Sequence, residues 1–432
     1  MPTNPIYQTP HLTTASVAPL HLLEQQLLNK EKEIEAWFTV QWRLTPPPLY
    51  GSVDLRNAGF KLAPVDMNLF PAGFNNLNPD FLPLSIAAAR LAITERLPNT
   101  QRILLIPENH TRNIHYWENI QTLLHILTAA GFTVRLGSLL PEPLEITLHN
   151  GEKIKCEPIM HLNHKISLSD FTPDIILLNN DLSAGIPEIL HHLQQPIMPP
   201  AELGWSQRLK SEHFQYYFAV SKAFAELIDI DPWFIAPLFQ QCGKIDFMHS
   251  EGEDSLTEQI EQLLVSIQKK YDEYQITCKP FVIVKADAGT YGMAVMTVRK
   301  ANEIHNLNRK QRTRMSKSKS GQPVHRVIVQ EGIYTFEKWG EQDAVAEPVV
   351  YLWGQRVVGG FYRVHQERGI DENLNTPGMK FEPLAFAKTC HKPAAQASQG
   401  ECQNRFYAYG VIARLSMLAA AREMLQQDKV LS

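Results

Sequence analysis

Apolar residues recur at helical spacing from Val17 to Arg43, where Leu20, Leu23, Leu27, Leu28, Ile34 and Phe38 are set among Glu and Lys. This spacing predicts one long amphipathic helix that stops at the proline run Pro46 to Pro48. A polar segment with strand-like pieces comes next at 51–78, then a helix over about 80–96, the apolar strand RILLI at 102–106 and a helix over roughly 113–130. Gly131 breaks that helix before the strand FTVRL. DIILLNN at 174–180 has the length and the polar ending of a buried parallel strand. Strands alternating with helices predict α/β architecture. From about 184 to 273 the pattern reads as almost wholly helical and ends in the amphipathic SLTEQIEQLLVSIQKKYDEY, which places a domain boundary near 275. From Pro280 the texture becomes β-rich, with PFVIVKAD, MAVMTV, HRVIVQEGI, EPVVYLW and RVVGGFYRV dense in Val, Ile and aromatics, and a helix over about 404–427 closes the chain. These shifts divide the sequence into a helical segment (1–50), a strand region (51–100), an α/β and helical domain (101–275) and a β-rich region (276–432).

Composition narrows the class. The 432 residues are 44% hydrophobic and 20% charged, as in an ordinary globular protein, and the formal net charge of -4 supplies no overall drive toward nucleic acid or anionic membrane. No basic leader precedes an apolar stretch and no run approaches the ~20 apolar residues that span a bilayer, so a soluble, cytoplasmic protein is expected. Five cysteines without a CxxC pair read as reduced thiols, not as a disulfide framework or zinc site, and sixteen histidines without HExxH disfavour a zinc hydrolase. His191 and His192 are expected on a helix.

The segment richest in chemistry is VIVKADAGTYGMAVM, residues 282 to 296. A buried strand delivers Lys285 and breaks into a loop carrying Gly289, Thr290, Tyr291 and Gly292 before a second strand. Glycines let backbone N–H groups approach phosphate oxygens, and the lysine supplies a compact charge; no GK[ST] helix comes after it, so this is not a Walker A loop. The plainer reading is a hairpin turn beside a snorkelling lysine. The strands downstream favour phosphate binding. HRVIVQEGI ends in Gln330 and Glu331, placed for a hinge that meets adenine through its backbone and ribose through a carboxylate. EPVVYLWGQRVVGGFYRV delivers Arg363 toward the same region, and ENLNTPG presents Asn373 and Asn375 in a turn.

This succession resembles the ATP-grasp fold of glutathione synthetases and D-alanine-D-alanine ligase-like enzymes over about residues 280 to 425. In most such enzymes the acidic metal ligands come after the asparagine loop and a helix, whereas here the chain ends with that helix. SVDLRNAGFKLAPVDMNLFPAGFNNL at 52–77 looks like the missing acidic-x-Asn strand, with Asp66 and Asn68 as the pair. The eukaryotic type of glutathione synthetase is similarly permuted, with a further metal carboxylate after the loop lysine, a position matched by Asp287. The plainer reading of Asp66 and Asn68 is a capped turn. The fold class expected is therefore α/β, ATP-grasp-like and circularly permuted, with an N-terminal α/β substrate domain. VDLRNAGFKLAPVDMNLFPAGFNNL, IPENHTRN, LLNNDLSAGIP and VIVKADAGTYGM together resemble a bacterial family of glutamate-cysteine ligases distinct from the enterobacterial type. Ala294 stands where that pattern leads one to expect glycine.

The resemblance implies ATP, L-glutamate and L-cysteine as substrates, and γ-glutamylcysteine, ADP and phosphate as products. It implies Lys285, Arg363 and Mg²⁺ on Asp66, Asn68 and Asp287 as the catalytic set, and oxygen ligands serve Mn²⁺ as well. Arg56 and Asp54 lie near the metal strand, placed to take an amino acid's carboxylate and ammonium, or else to form a surface ion pair. Asn109 in PENHTRN (with Glu108, His110 and Arg112) and Asn180 in LLNNDLSAG (with Asn179, Asp181 and Ser183) end strands where α/β folds bind ligands, although such residues also cap helices. The basic run at 308–322 lacks interleaved aromatics and reads as a lid or a solvated loop, not a nucleic-acid site. Small molecules are thus the partners expected, with no nucleic acid and no membrane, and nothing in the sequence sets an oligomeric state. Glutathione synthetase, another ATP-grasp amino-acid ligase, or a nucleotide-binding module without turnover are the competing readings.

Overall fold

The computed structural model describes residues 21–108, 113–289, 294–317, 321, 323–384 and 405–431, without the side chains of 21, 22, 405 and 427–431. Its central layer is an antiparallel sheet ordered Lys380–Pro383, Arg356–His365, Ala344–Trp353, Tyr50–Asn57, Leu62–Asn68, with Lys338–Trp339 beside Ala344–Trp353. The strands Ala344–Trp353 and Arg356–His365 turn back at WGQR, where Gly354 takes a positive φ of 55°. Both are buried on each face because their alternate residues enter different cores. Val350 and Leu352 join one core with Phe406, Val411 and Leu415 of the helix Arg405–Leu431, whereas Val349, Tyr351 and Trp353 join the other with Ala88 and Ala89 of the helix Leu82–Arg96. Two strands from the front of the chain thus complete a sheet whose other members lie beyond residue 337, as the permuted reading requires.

A second sheet is parallel over Ile197–Met198, Ile175–Asn179, Arg102–Pro107, Thr133–Ser138 and Lys153–Pro158, with Leu144–Thr147 antiparallel at its edge. The helix Ile114–Ala129 crosses between two of these strands and buries Trp117, Ile120, Leu123 and Leu127. A third sheet, entirely antiparallel, runs Phe239–Cys242, Val327–Glu331, Val282–Ala286, Val295–Val298. The helix Glu253–Glu273 covers it with Leu256, Ile260, Leu263, Ile267 and Tyr271, a helical stripe in which each Leu or Ile contributes about 1.5–3 kcal/mol of burial.

The fold corrects several expectations. Phe239–Cys242 and Glu253–Glu273, which precede residue 275, share a sheet or a core with the lysine strand. The stretch 184–273 is not wholly helical: its long helices are Lys210–Ile228 and Glu253–Glu273, and Pro187, Pro196, Pro199, Pro200, Pro232 and Pro237 interrupt the remainder. His191 and His192 come after a short 3-10 turn instead of lying on a helix, and His192 has a φ of 54°. The first helix is divided at Lys30 into His21–Asn29 and Glu31–Leu44. Much of the basic run is a helix, Arg309–Met315, because Asn308 and Gln311 form a capping box, Met315 is buried and Arg312 donates to Phe247 O at 2.8 Å and to Glu253. Among the described residues no helix is long and apolar enough to cross a membrane.

Candidate functional site

The lysine strand and the acidic strand meet. Lys285 leaves Val282–Ala286, and its Nζ donates to Val65 O at 2.6 Å, a contact between positions 220 apart. A second lysine, not singled out in the sequence, joins it. Lys210 opens the helix Lys210–Ile228, its N–H donates to Asp287 O at 2.8 Å and its Nζ to Gly289 O at 2.8 Å. Its ammonium also lies 3.5 Å from the Trp205 ring centre and 3.6 Å from Asp66. At the two ends of the loop the backbone turns left-handed: Gly289 has a φ of 100° and Ala294 one of 51°, a region that glycine occupies at no steric cost and alanine does not. Burial pushes the Lys210 ammonium down to about 8 against the pull of Asp66, and burial lowers Lys285 likewise. Burial alone would raise the Asp66 carboxyl, but Lys210, Lys285 and Arg208 outweigh it and hold the group below its ordinary range.

From Asp66 a row of charged groups crosses the sheet. Asp54 stands opposite Asp66 in the strand pairing. Arg363 Nη1 donates to Asp54 at 2.9 Å and to Glu347 at 2.5 Å, and Arg56 Nε donates to Glu347 at 2.9 Å. Burial raises the Asp54 carboxyl, Arg363 offsets part of that, and the neighbouring Glu347 and Asp66 raise it further. Glu347, a residue the sequence did not point to, is held low despite burial because Arg56 and Arg363 flank it. The signal that could have found it is a glutamate inside an apolar strand, directly across from Arg363. The Nε of Arg363 is buried and has no partner among the described residues.

Other expected ligands are committed elsewhere. Asp287 is 0% exposed, and its two oxygens accept from Ser211 N at 2.8 Å and Ser211 Oγ at 2.7 Å. It therefore caps the first turn of Lys210–Ile228. Asn68 turns its Oδ1 to Phe70 N at 2.8 Å, which is the capped turn. The Arg56 guanidinium, besides Glu347, donates to Ile333 O at 3.1 Å and to Glu372 O. Glu331 accepts from Lys61 at 2.7 Å, Trp233 Nε1 at 3.1 Å and Leu238 N at 2.9 Å. Its neighbour Gln330 is buried, with Nε2 unpartnered among the described residues. Asn180 accepts from Leu182 N at 3.0 Å, a loop-shaping bond. Asn373 accepts from Asn375 N at 2.9 Å and lines a cavity of about 250 Å³ with Thr297, Arg299, Arg314 and Arg368. Thr290, Tyr291, Gly292 and Asn109 lie outside the described residues.

Behind the acidic strand, the 2%-exposed Arg208 donates to Glu423 at 2.7 and 2.9 Å and to Met67 O at 2.8 Å. His213 closes the group with Nδ1 3.3 Å from Glu423 and Nε2 3.1 Å from Ser416 Oγ. Burial would raise the Glu423 carboxyl, yet Arg208 and His213 bring it down to about 2. This cluster fastens the last helix to the backbone that carries Asp66.

The family model for glutamate-cysteine ligase matches residues 24–424. A crystal structure assigned as a gamma-glutamylcysteine synthetase from Methylobacillus flagellatus KT is similar at 54% identity with a TM-score of 0.87, over 97% of this chain and 99% of that one. D-alanyl-alanine synthetase A from Vibrio cholerae shares 10% identity at a TM-score of 0.34, over 73% of this chain and 81% of that one. A glutathione synthetase-like effector from Globodera pallida shares 10% at 0.37, over 87% of this chain and 86% of that one. These two likenesses are too distant to inform the site. Among curated proteins nothing matches the sequence.

Proposed function

We propose, for a chain that belongs to the glutamate-cysteine ligase family, that Lys285 and Lys210 receive the phosphates of ATP beside a divalent cation held by Asp66 and Asp54. The protein is an ATP-dependent ligase that joins the γ-carboxylate of L-glutamate to the amine of L-cysteine, the first step of glutathione biosynthesis. A carboxylate is a poor electrophile at neutral pH, so its oxygen must first become a leaving group. The glutamate oxygen takes the γ-phosphoryl and ADP departs with the bonding pair; the cysteine amine then attacks the carbonyl carbon, phosphate leaves and the amine gives up a proton.

The observation that carries the site assignment is the meeting of Lys285 with Val65 at 2.6 Å and of Lys210 with Asp66 at 3.6 Å. Two ammonium groups there neutralise charge that builds on transferring phosphoryl oxygens, and positioning with charge neutralisation dominates such transfers. The donor set fits a hard cation: Asp54 and Asp66 oppose each other, and Glu347 adds repulsion that a divalent ion would relieve. Mg²⁺ is the ion we assign, and Mn²⁺ takes the same oxygens. An ion held by Asp54 and Asp66 would draw charge off the phosphate oxygens. Arg363 keeps Asp54 and Glu347 in line, and its unpartnered Nε is a donor aimed at no protein atom among the described residues. Arg56 is a positioning residue that ties this row to the segment after Gly369.

Phosphate release with glutamate plus cysteine is expected to exceed release with γ-glutamylcysteine plus glycine; the reverse order would assign a glutathione synthetase. Asp66→Asn is expected to lower turnover by about 10²-fold or more and to weaken the apparent affinity for Mg²⁺. Asp287→Ala is expected to leave the Mg²⁺ requirement in place and to cost about 0.5–2 kcal/mol of stability as a lost cap. If instead the Asp287 variant shifts the Mg²⁺ titration and the Asp66 variant does not, our ligand assignment is wrong. Lys210 supplies a pH signature. Its ammonium, brought down to about 8 from 10.5, loses its proton in the folded enzyme before the unfolded chain does. Affinity for ATP is then expected to fall as pH rises through about 8, while stability rises between about 8 and 10.5 because the unfolded state holds more protons there. A flat ATP affinity from about pH 7 to about pH 9.5, measured by calorimetry, would remove Lys210 from the phosphate site.

A further inference from the structure

On the helix Ile114–Ala129, Tyr116, Trp117, Asn119 and Ile120 face inward, whereas His115 and Glu118 stand one turn apart on the solvent side. The edge hairpin of Leu144–Thr147 and Lys153–Pro158 brings its tip to the same place. There His149 Nδ1 lies 2.8 Å from Glu118 Oε1, and His115 Nδ1 lies 3.0 Å from Glu118 Oε2. The two imidazole centres are 5.4 Å apart, and one ligand atom from each of the three residues lies within 4.8 Å of the others. Among the described residues this is the group of three or more His, Cys, Asp or Glu side chains that meets that spacing.

The tip is held without any ion. Leu148 N donates to Glu152 O at 2.8 Å, Gly151 N to Leu148 O at 3.0 Å and Glu152 N to Asn150 Oδ1 at 3.0 Å, a turn that sets the position of His149. One turn along the helix, Gln121 donates to Glu152 and makes a second link between hairpin and helix. None of these contacts uses a ligand atom of the trio, so the three donors are gathered by the fold.

We propose that His115, Glu118 and His149 form a surface site for Zn²⁺ that clips the hairpin to the helix and shares no residue with the ATP site. Two imidazoles and one carboxylate, with a water in the fourth position, are a donor set that zinc accepts in tetrahedral geometry. Ligand atoms about 3.3 Å apart suit zinc bonds of about 2.0–2.1 Å. Each histidine already stands that close to Glu118, so the closing movement is the approach of the two rings, which exposed side chains make freely. Each neutral ring that now donates from Nδ1 passes to the Nε2–H tautomer through exchange with water, and a ring that was cationic releases one proton. Hard cations such as Mg²⁺ prefer all-oxygen sites, which separates this trio from Asp54 and Asp66.

Calorimetric titration of the whole protein with ZnCl₂, in buffer free of ATP and Mg²⁺, tests the site. The unmodified protein is expected to bind one Zn²⁺ with an affinity that falls at least about tenfold in His149→Ala and further in the His115→Ala/His149→Ala double variant. A His191→Ala/His192→Ala variant, which removes another exposed histidine pair, is expected to keep the binding. Zn²⁺ is also expected to raise the melting temperature of the unmodified protein and not that of the His115/His149 double variant. Ligase activity with Mg²⁺, assayed without zinc, is expected to be unchanged in that double variant, which shows that it is folded. Equal zinc affinity in the unmodified protein and the His115/His149 variant overturns the proposal, as does loss of binding only in the His191/His192 variant.

Discussion

Lys285→Ala is expected to cut ATP-dependent phosphate release by about 10²–10³-fold with glutamate and cysteine present, and to leave the protein folded. The activity loss is a matter of position. Lys285 reaches across from the glycine-loop strand to Val65 O at 2.6 Å, one residue before Asp66, so it stands where transferring oxygens would meet the acidic strand. Water cannot replace it there with a charge of its own. The fold should survive because burial already works against this ammonium, whose pKa it depresses, so removing it relieves a desolvation cost while losing one hydrogen bond. Lys285→Arg should recover little, since a planar guanidinium replaces a compact charge. Steady-state kinetics beside a melting curve decide the matter. Turnover within about threefold of the unmodified enzyme would mean that Lys285 only braces Val65.

Glu423→Ala should produce the largest stability change, a loss of about 3–5 kcal/mol. The reason is what remains behind: Arg208, 2% exposed, would keep its charge with no anion in direct contact and would retain Met67 O and His213 as its contacts. The pH dependence carries the same signature. The Glu423 carboxyl moves from 4.5 in the unfolded chain to about 2 in the fold, a depression, so its stabilisation is complete above about 4.5 and drains away as pH falls toward 2. Chemical denaturation at about pH 7 and about pH 4 should show a smaller difference in Glu423→Gln than in the unmodified protein. Equal stability of the two proteins at neutral pH would contradict the assignment. Because Met67 comes directly after Asp66, a weakened Mg²⁺ response in these variants is expected to accompany the stability loss, as an indirect effect through the strand.

Features written within a few residues are legible along the chain, and those made by distant segments are not. The strand that carries Lys285, the hairpin at WGQR and the strand through Gln330 belong to the first kind, because runs of Val and Ile and a turn glycine are local. Lys210 belongs to the second, because LKSEHF contains no glycine and reads as the start of any amphipathic helix. The helix in the basic run is a local feature whose signal is weak: seven residues, announced by the capping box of Asn308 and Gln311 and little else. Across residue 275 a strand that begins at Phe239 pairs with one that begins at Val327, and no composition shift marks that pairing.

By itself the sequence determined the class of machinery: an α/β chain with a lysine strand, a glycine loop and an acidic strand, since periodicity and turn chemistry act over a few residues. It could not determine which carboxylates are tied to distant partners. Asp287 and Glu331 look as eligible as Asp66 along the chain, yet Ser211 takes the first across 76 positions and Lys61 takes the second across 270. Arg56 likewise meets Glu347, 291 positions away. A buried charge must find a partner, and which partner is within about 3 Å is decided only when distant segments pack.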